Sequence, residues 1–208
     1  MSLKNKKKLL IILLGLFLLI ILSVITNYEP LLLLDRTIQV FSNTIHSPFI
    51  DQIMISITKI GNTYESLLIF IFFSLFLISK KKKLSSYFFT IITSLGIIIP
   101  EIIKLTIKRI RPVSDLLAET GYSFPSGHAT ISTIFLISSF LIIAPNIKDQ
   151  FSRYVFIICT TLIFPLIALS RIFLSVHWFS DVLGGILLGF MCYLLTSIFC
   201  CQKKENML

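Results

Sequence analysis

Long apolar runs separated by short polar or charged segments dominate the chain. Six runs approach the roughly 20 residues that a helix needs to cross the hydrocarbon core of a bilayer. An unpaired strand cannot satisfy its backbone polar groups in lipid, so each run is predicted to be a helix. The six runs are Leu9–Ile25, Asn62–Ser79, Ser86–Ile103, Ser126–Ala144, Tyr154–Leu174 and Phe179–Cys201. The pattern therefore predicts an all-α integral membrane protein, a bundle of six transmembrane helices.

The stretch between the first two runs, from Glu29 to Gly61, is less apolar than its neighbours. Polar residues are scattered among Leu, Ile and Phe, which predicts one or two amphipathic helices lying in the membrane interface. His46 is alone there and is expected to be solvated or interfacial. We see no internal repeat and no low-complexity linker, so a single membrane-embedded domain over residues 1–208 is expected.

Composition supports the membrane assignment and changes how the charge is interpreted. Hydrophobic residues make up 55% of the 208 residues and charged residues only 14%, with a mean hydropathy of +0.92. A soluble domain usually has about a quarter of its residues charged. The net charge of +9 would by itself indicate a nucleic-acid partner. On so apolar a chain it indicates loops sorted by the positive-inside rule, so no nucleic acid is expected as a partner.

The basic residues are sorted to one side of the predicted spans. With a cytoplasmic N-terminus, twelve of the 19 Lys and Arg residues fall in the N-terminal head, the loop at 80–83, the loop at 145–153 and the tail. This predicts a multi-pass plasma-membrane protein with both termini in the cytoplasm. Five cations fall instead at the outer ends of the third and fifth spans or in the following loop, where a functional reason is expected. They are Lys104, Lys108, Arg109, Arg111 and Arg171.

Two short segments on the predicted outer side carry features of an anion site. Lys104 and Arg111 are seven residues apart, so on a continuous helix they project from one face before Pro112 stops the helix. Ser126 is a good N-cap directly before a span, and Gly127 permits a close backbone approach. The N-terminus of a helix offers N–H groups and the positive end of its dipole to an anion.

A third segment adds the groups needed for catalysis. His177 and Asp181 are spaced i,i+4, so on a helix face the carboxylate holds one imidazole nitrogen and leaves the other available. Together with His128 and Arg171, the three segments supply three cations, a helix N-terminus, two histidines and one carboxylate. This set fits a phosphate site with a nucleophile and an acid for the leaving group.

The three segments together resemble the signature of the type 2 phosphatidate phosphatase family, which is related to the vanadium haloperoxidases. They read Lys-x6-Arg-Pro, Pro-Ser-Gly-His and Ser-Arg-x5-His-x3-Asp, in that order, and span about 80 residues. Every signature position is matched: Lys104, Arg111, Pro112, Pro125, Ser126, Gly127, His128, Ser170, Arg171, His177 and Asp181.

The resemblance implies a role for each matched side chain. His177 is expected to attack phosphorus and form a phosphohistidine, and Asp181 to raise its nucleophilicity. His128 is expected to protonate the leaving oxygen and then to activate the hydrolytic water. The resemblance implies that the phosphoryl oxygens are bound by Lys104, Arg111, Ser126, Gly127 and Arg171. No Asp or Glu cluster suited to Mg²⁺ is apparent beside the motifs, and fixed cations can serve phosphoryl transfer, so neither metal nor cofactor is expected.

Residues beside the signature are predicted to have structural roles. Glu101 is placed to pair with the lysine three residues further on, and Lys108 and Arg109 are expected to be solvated at the interface. The Gly185-x3-Gly189 pattern predicts close packing between helices.

A site at the membrane surface, between helices that lipid tails can enter, predicts a phosphorylated membrane lipid as substrate. The short, Ile- and Lys-rich chain is of bacterial type. Undecaprenyl diphosphate is favoured because the site faces outward, and phosphatidylglycerophosphate and phosphatidate are the alternatives. A non-catalytic transporter or scramblase of anionic lipids would explain the cations but not the spacing of His177 and Asp181. A haloperoxidase would share the anion pocket, but we see no large soluble domain in this sequence that would shield an oxidising site. The sequence leaves the oligomeric state open.

Overall fold

Eight α-helices make up the described part of the chain, and no strand occurs within it. The structure is a computed structural model that describes residues 1–205, apart from the side chains of Thr63 and of residues 201–205. The helices are α1 Leu3–Ile25, α2 Glu29–Thr44, α3 Pro48–Ile60, α4 Thr63–Ser79, α5 Lys83–Ile107, α6 Gly127–Ser138, α7 Gln150–Phe173 and α8 Phe179–Glu205. The all-α prediction is confirmed.

Five helices are each long and apolar enough to cross a membrane: α1, α5, α6 with its continuation to Asn146, α7 and α8. The predicted second span is shorter than the others, because α4 has 17 residues. It forms with α3 a pair bent by 51° that passes the same test as a unit, which raises the number of candidate spans to six. The chain is a multi-pass membrane protein, and many leucines and isoleucines on the helices are exposed as lipid-facing residues are.

Helix α6 lies at the centre of the bundle and packs against α5, α7 and α8. Glycines let α8 approach it closely. A Cβ on Gly185 would lie 2.4 Å from the carbonyl oxygen of Ser126, and one on Gly189 would lie 2.7 Å from Cβ of Thr133. The close packing predicted from the glycine pattern is confirmed. On the other side of α6, aromatic rings fill the core, where Phe135 contacts other phenylalanines of α4, α5 and α7.

The segment between the first two spans forms two helices, α2 and α3, which pack against α7 and α8. His46, which lies between them, is partly exposed, at 24% of its side chain, and its expected place at the interface stays a prediction. Its Nδ1 lies 2.7 Å from Oδ1 of Asp51, and its ring centroid lies 4.3 Å from that of Phe173. Contacts with α3 and α7 partly cover it.

Helix α5 ends earlier than the Lys104–Arg111 spacing predicted. Its last residue is Ile107, and Lys108 adopts a left-handed conformation with φ 55° that turns the chain away. The prediction that Lys104 and Arg111 share a helix face is therefore wrong. The two cations instead come together because the segment after α5 folds back over the end of the bundle.

The predicted i,i+4 helix face of His177 and Asp181 is wrong for a similar reason. Helix α7 ends at Phe173 and α8 begins at Phe179, so His177 lies in the connection between them. The Trp178 N–H donates to Oδ2 of Asp181 at 2.9 Å, which satisfies a backbone donor at the start of α8. The carboxylate therefore serves the helix start as well as the imidazole.

The first and last helices run antiparallel, so the start of α1 meets the C-terminal part of α8. Nζ of Lys6 donates to Oγ of Ser197 at 2.5 Å. The motif segments lie at the opposite end of the bundle, where α5 ends and α6 and α8 begin. Which end of the bundle faces the cytoplasm stays a prediction. Lys203 and Lys204 belong to the predicted cytoplasmic tail, and their side chains lie outside the described part of the structure.

Candidate active site

A cavity of about 460 Å³ opens where the motif segments meet. It lies between the ends of α4, α5, α6 and α7 and the segment that follows α5. Six of the eight predicted site residues line it. They are Lys104, Arg111, Gly127, His128, Arg171 and His177.

His177 is almost fully buried and presents one ring nitrogen to the cavity. Its Nε2 lies 3.0 Å from Nη1 of Arg111. Because a guanidinium can only donate, Nε2 accepts and the ring proton lies on Nδ1. Nδ1 has no hydrogen-bond partner among the described residues but lies 3.5 Å from Oδ2 of Asp181. Burial lowers the pKa of His177 to about 4, although Asp181 opposes this shift, so the imidazole is neutral at neutral pH.

Arg171, at the end of α7, is fully buried at the base of the cavity. Its Nη1 donates to Oγ1 of Thr58 at 2.7 Å, and its Nη2 is ion-paired with Glu119. Its Nε has no hydrogen-bond partner within the described part of the chain. A buried charged donor without a partner is costly, and an anion in the cavity would satisfy it.

The other two predicted cations approach the cavity from α5 and from the segment after it. Nζ of Lys104 is bonded to Oε1 of Glu101 at 2.7 Å, which confirms the predicted pair. The same Nζ lies 3.8 Å from the position a Cβ would take on Gly127, at the start of α6. Arg111 is held by the carbonyl oxygen of Val176 at 2.7 Å from Nη1. Burial lowers the pKa of Arg111, but an arginine stays charged at physiological pH.

His128 lies in the first turn of α6 and lines the cavity. Its Nε2 lies 3.2 Å from Oδ1 of Asn62, and since an amide oxygen only accepts, Nε2 carries a proton in this arrangement. Gly61 makes room for the ring, because a Cβ there would lie 2.7 Å from Cδ2 of His128. Sequence reasoning missed this contact, since nothing local links the start of α4 to the start of α6.

Two predicted site residues stand behind the cavity wall. Ser126 is fully buried, and its Oγ accepts from the backbone of Ala129 as the predicted N-cap. Its own N–H donates to the carbonyl oxygen of Asp181 at 3.0 Å, which joins the start of α6 to that of α8. Asp181 is fully buried and faces His177 from behind. The phosphate-binding role of Ser126 stays a prediction. Its hydrogen bonds hold the first turns of α6 and α8 together beside the cavity.

Arg109 corrects the expectation of interfacial solvation. Its side chain is 9% exposed and bridges Asp35 of α2 and Asp181 of α8, with 2.6 Å from a guanidinium nitrogen to each carboxylate. Lys108 is exposed, as predicted. Asp35 and Glu119 were both missed, because their partners lie 74 and 52 residues away in the sequence.

Among the side chains that the structure describes, no three from His, Cys, Asp or Glu come together as a metal-binding group. Positive charge at the cavity comes from Lys104, Arg111 and Arg171, which approach from three different parts of the fold. The arrangement can bind a tetrahedral oxyanion beside a neutral imidazole nitrogen.

Comparison with known protein families agrees with this geometry. A family model described as the PAP2 superfamily matches residues 83–205, which include all three motif segments. The chain belongs to the PAP2 superfamily. The matched region includes the segment after α5, the start of α6 and the α7–α8 connection, which all contribute to the cavity.

Relatives and solved structures extend the similarity beyond the matched region. The chain is 27% identical over 168 residues to phosphatidylglycerophosphatase B of Bacillus subtilis (strain 168), covering 79% of this chain and 82% of that protein. It superposes with a TM-score of 0.77 and 22% identity on a transmembrane PAP2-type phosphatidylglycerolphosphate phosphatase from Bacillus subtilis, covering 93% of this chain and 96% of the other. LpxE of Aquifex aeolicus gives a TM-score of 0.60 at 20% identity, with 82% and 96% covered. The two structures share the fold.

Proposed function

We propose that this protein is a membrane phosphatase that hydrolyses the phosphate monoester of a lipid through a phosphohistidine on His177. One observation carries the proposal. A neutral imidazole presents an unprotonated Nε2 to a cavity lined by Lys104, Arg111 and Arg171. Cations around a single nucleophile are what phosphoryl transfer needs, because most of its catalysis is positioning and neutralising the equatorial oxygens.

In the first step Nε2 of His177 attacks phosphorus, and the bond to the lipid oxygen breaks. The step requires His128 to carry a proton on both ring nitrogens; it then gives its Nε2 proton to the leaving oxygen, so the leaving group departs as a hydroxyl and not as an alkoxide. The phosphorylated imidazole carries a positive charge on its ring, which the carboxylate of Asp181 stabilises from behind. The three cations hold the phosphoryl oxygens throughout.

In the second step water hydrolyses the phosphohistidine. The now neutral His128 removes a proton from the attacking water, and the bond from phosphorus to Nε2 breaks. Inorganic phosphate leaves, His177 is regenerated as a neutral imidazole, and His128 has recovered its second proton. The reaction consumes one water, and His128 is the group that changes its protonation state, while His177 gains and loses the phosphoryl group.

The apolar end of the cavity supports a lipid substrate. Below the cations the walls become hydrophobic and lie between α4, α5 and α6. Leu67 of α4 and Ile97 of α5 line the cavity, yet they are 49% and 51% exposed. The cavity therefore reaches the lipid-facing surface between these two helices, so an acyl chain can stay in the bilayer while its phosphate meets His177.

Phosphatidylglycerophosphate is the substrate we place first. The relative at 27% identity is a phosphatidylglycerophosphatase B. The sequence favours undecaprenyl diphosphate instead. That alternative is supported by the outward-facing site that the distribution of Lys and Arg predicts. Phosphatidate belongs in the same comparison.

The proposal is tested by phosphate release from purified protein in detergent and in vesicles. His177→Ala and Asp181→Asn should lose turnover while retaining binding of the lipid phosphate, because the cations remain. A lipid transporter would retain its function in both variants. Unchanged phosphate release from His177→Ala would overturn the enzyme assignment. The three lipid phosphates, compared at equal surface concentration, decide the substrate.

A further inference from the structure

A buried charge network lies directly behind the site and includes two residues outside the motif segments' signature positions, Asp35 and Arg109. Nη1 of Arg109 is 2.6 Å from Oδ1 of Asp181, and its Nη2 is 2.6 Å from Oδ2 of Asp35. Asp35 is 1% exposed and Asp181 is fully buried. Burying two carboxylates and one guanidinium carries a desolvation penalty that apolar side chains in the same positions would not carry.

Both carboxylate oxygens of Asp35 accept hydrogen bonds. Its Oδ1 accepts from the backbone N–H of Ser180 at 2.9 Å, and its Oδ2 accepts from Oγ of Ser180 at 2.7 Å. Nη1 of Arg109 also donates to Oγ of Ser180 at 2.7 Å. Asp35 therefore attaches α2 to the first turn of α8, and it fixes the guanidinium at the carboxylate that faces the nucleophile.

The two oxygens of Asp181 have separate partners. Oδ1 accepts from Arg109, while Oδ2 accepts from the backbone N–H of Trp178 at 2.9 Å and lies 3.5 Å from Nδ1 of His177. The ring of Trp178 lies over the guanidinium, with its centroid 5.7 Å from Cζ of Arg109. Arg109 thus sets the rotation of the carboxylate and hence which oxygen faces the imidazole.

The charges of the network decide what His177 experiences. Arg109 alone would neutralise Asp181. With Asp35 present, the three side chains sum to one negative charge, so a net negative charge remains behind the imidazole. This charge opposes the cations on the cavity side. The groups that face His177 are Asp181 from α8, His128 from α6, Arg171 from α7, and Arg111 and Glu119 from the segment after α5.

We propose that Asp35 and Arg109 are positioning residues for the phosphatase reaction, which hold Asp181 in place and keep one net negative charge behind His177. The inference rests on the proposed function, because the charge acts on the positively charged ring of the phosphohistidine. Neither residue touches the cavity that holds the substrate phosphate. Their removal should therefore change the chemical steps rather than substrate binding.

The test is a charge-balance cycle with Asp35→Asn, Arg109→Gln and the double variant. Asp35→Asn leaves a net charge of zero behind His177, Arg109→Gln leaves minus two, and the double variant restores minus one. Each single variant should lower kcat roughly tenfold with little change in KM, and the double variant should regain part of that loss. Glu29→Gln is the matched control, because it removes an exposed carboxylate from α2, and the partner of Glu29 within the described part of the chain is the exposed Arg36.

A second measurement separates charge from loosened packing. The single-turnover rate of phosphohistidine formation is recorded against pH for all variants on one substrate. Asp35→Asn should move the acid limb to lower pH and Arg109→Gln to higher pH, because removing a negative charge makes His177 harder to protonate. The double variant should return towards the wild type.

The outcomes distinguish this inference from the proposed function. If His177→Ala keeps turnover, the phosphatase assignment fails. If His177→Ala is inactive while Asp35→Asn matches Glu29→Gln, only the positioning role fails. A double variant at least as impaired as the worse single, with acid limbs that do not separate, would also overturn it, since that pattern indicates a structural role alone.

Discussion

Glu119 and Arg171 form an ion pair inside the cavity, so a carboxylate of the protein already engages one of the cations assigned to the substrate phosphate. Burial by itself would raise the pKa of Glu119, but the guanidinium of Arg171 lowers it below its ordinary value. The side chain is therefore a carboxylate at neutral pH. An incoming phosphate has to compete with it for Arg171.

Replacement of Glu119 by Gln should tighten the binding of inorganic phosphate as a competitive inhibitor. The expected change is roughly fivefold, which corresponds to the loss of a partly exposed ion pair worth ~1 kcal/mol. The inhibition constant is measured in a steady-state assay. Asp115→Asn is the matched control, because it removes a charge from the same segment at an exposed position outside the cavity. Weaker phosphate inhibition in Glu119→Gln would show that Glu119 mainly orients Arg171.

Turnover should be unaffected by chelation. Lys104, Arg111 and Arg171 supply the positive charge that a metal ion provides in other phosphoryl-transfer sites. The purified protein is assayed after exhaustive EDTA treatment and again after Mg²⁺ or Mn²⁺ is added. Activity that disappears with EDTA and returns with either ion would contradict this assignment.

A bulky residue at the lipid-facing mouth of the cavity should discriminate between long and short substrates. Ile97→Trp is expected to reduce the turnover of long-chain lipid phosphates several-fold more than that of a short-chain soluble analogue. The adjacent Ile98→Trp is the control, since Ile98 is similarly exposed but does not line the cavity. Equal effects of the two variants on both substrates would contradict entry of the acyl chain between α4 and α5.

Acid should destabilise the wild type more than a His177→Asn variant. The folded protein binds a proton at His177 only near pH 4, whereas the unfolded chain binds it near the ordinary value of 6.5. Stability from this group is therefore present above about pH 6.5 and is lost as the pH falls towards 4, by on the order of 3 kcal/mol. Thermal unfolding in detergent, measured at several pH values, gives the difference. Parallel pH curves for the two proteins would contradict a buried neutral imidazole.

Gly185→Ala should destabilise the fold by roughly 1–3 kcal/mol. Its Cβ would meet the backbone carbonyl of Ser126 at 2.4 Å, and backbone atoms cannot move aside as the end of a flexible side chain can. The shift would also displace the start of α6, which carries His128. Gly15→Ala is the control, because nothing lies within 4 Å of a Cβ there. An unfolding temperature for Gly185→Ala equal to that of the control would show that α8 moves away freely.

Local features of the sequence were sufficient for the helices and for the motif residues. Runs such as Tyr154–Leu174 are apolar over the length of a span, and only a helix satisfies their backbone in lipid. The three motif segments supplied Lys104, Arg111, His128 and three further residues that line the cavity, because their spacing is a property of the chain. The sign and place of the Lys and Arg residues also predict an orientation, which the fold leaves open.

Only the tertiary structure decided how these residues meet. The left-handed Lys108 ends α5 before Arg111, so the two cations converge through a folded-back segment and not through a helix face. Glu119 and Asp35 carry no local signal, because each gains its meaning from an arginine more than fifty residues away. Burial then strengthens the interactions of the Asp35 carboxylate. In a low-dielectric interior a charge acts on its neighbours far more strongly than in water, and which neighbours it has depends on packing.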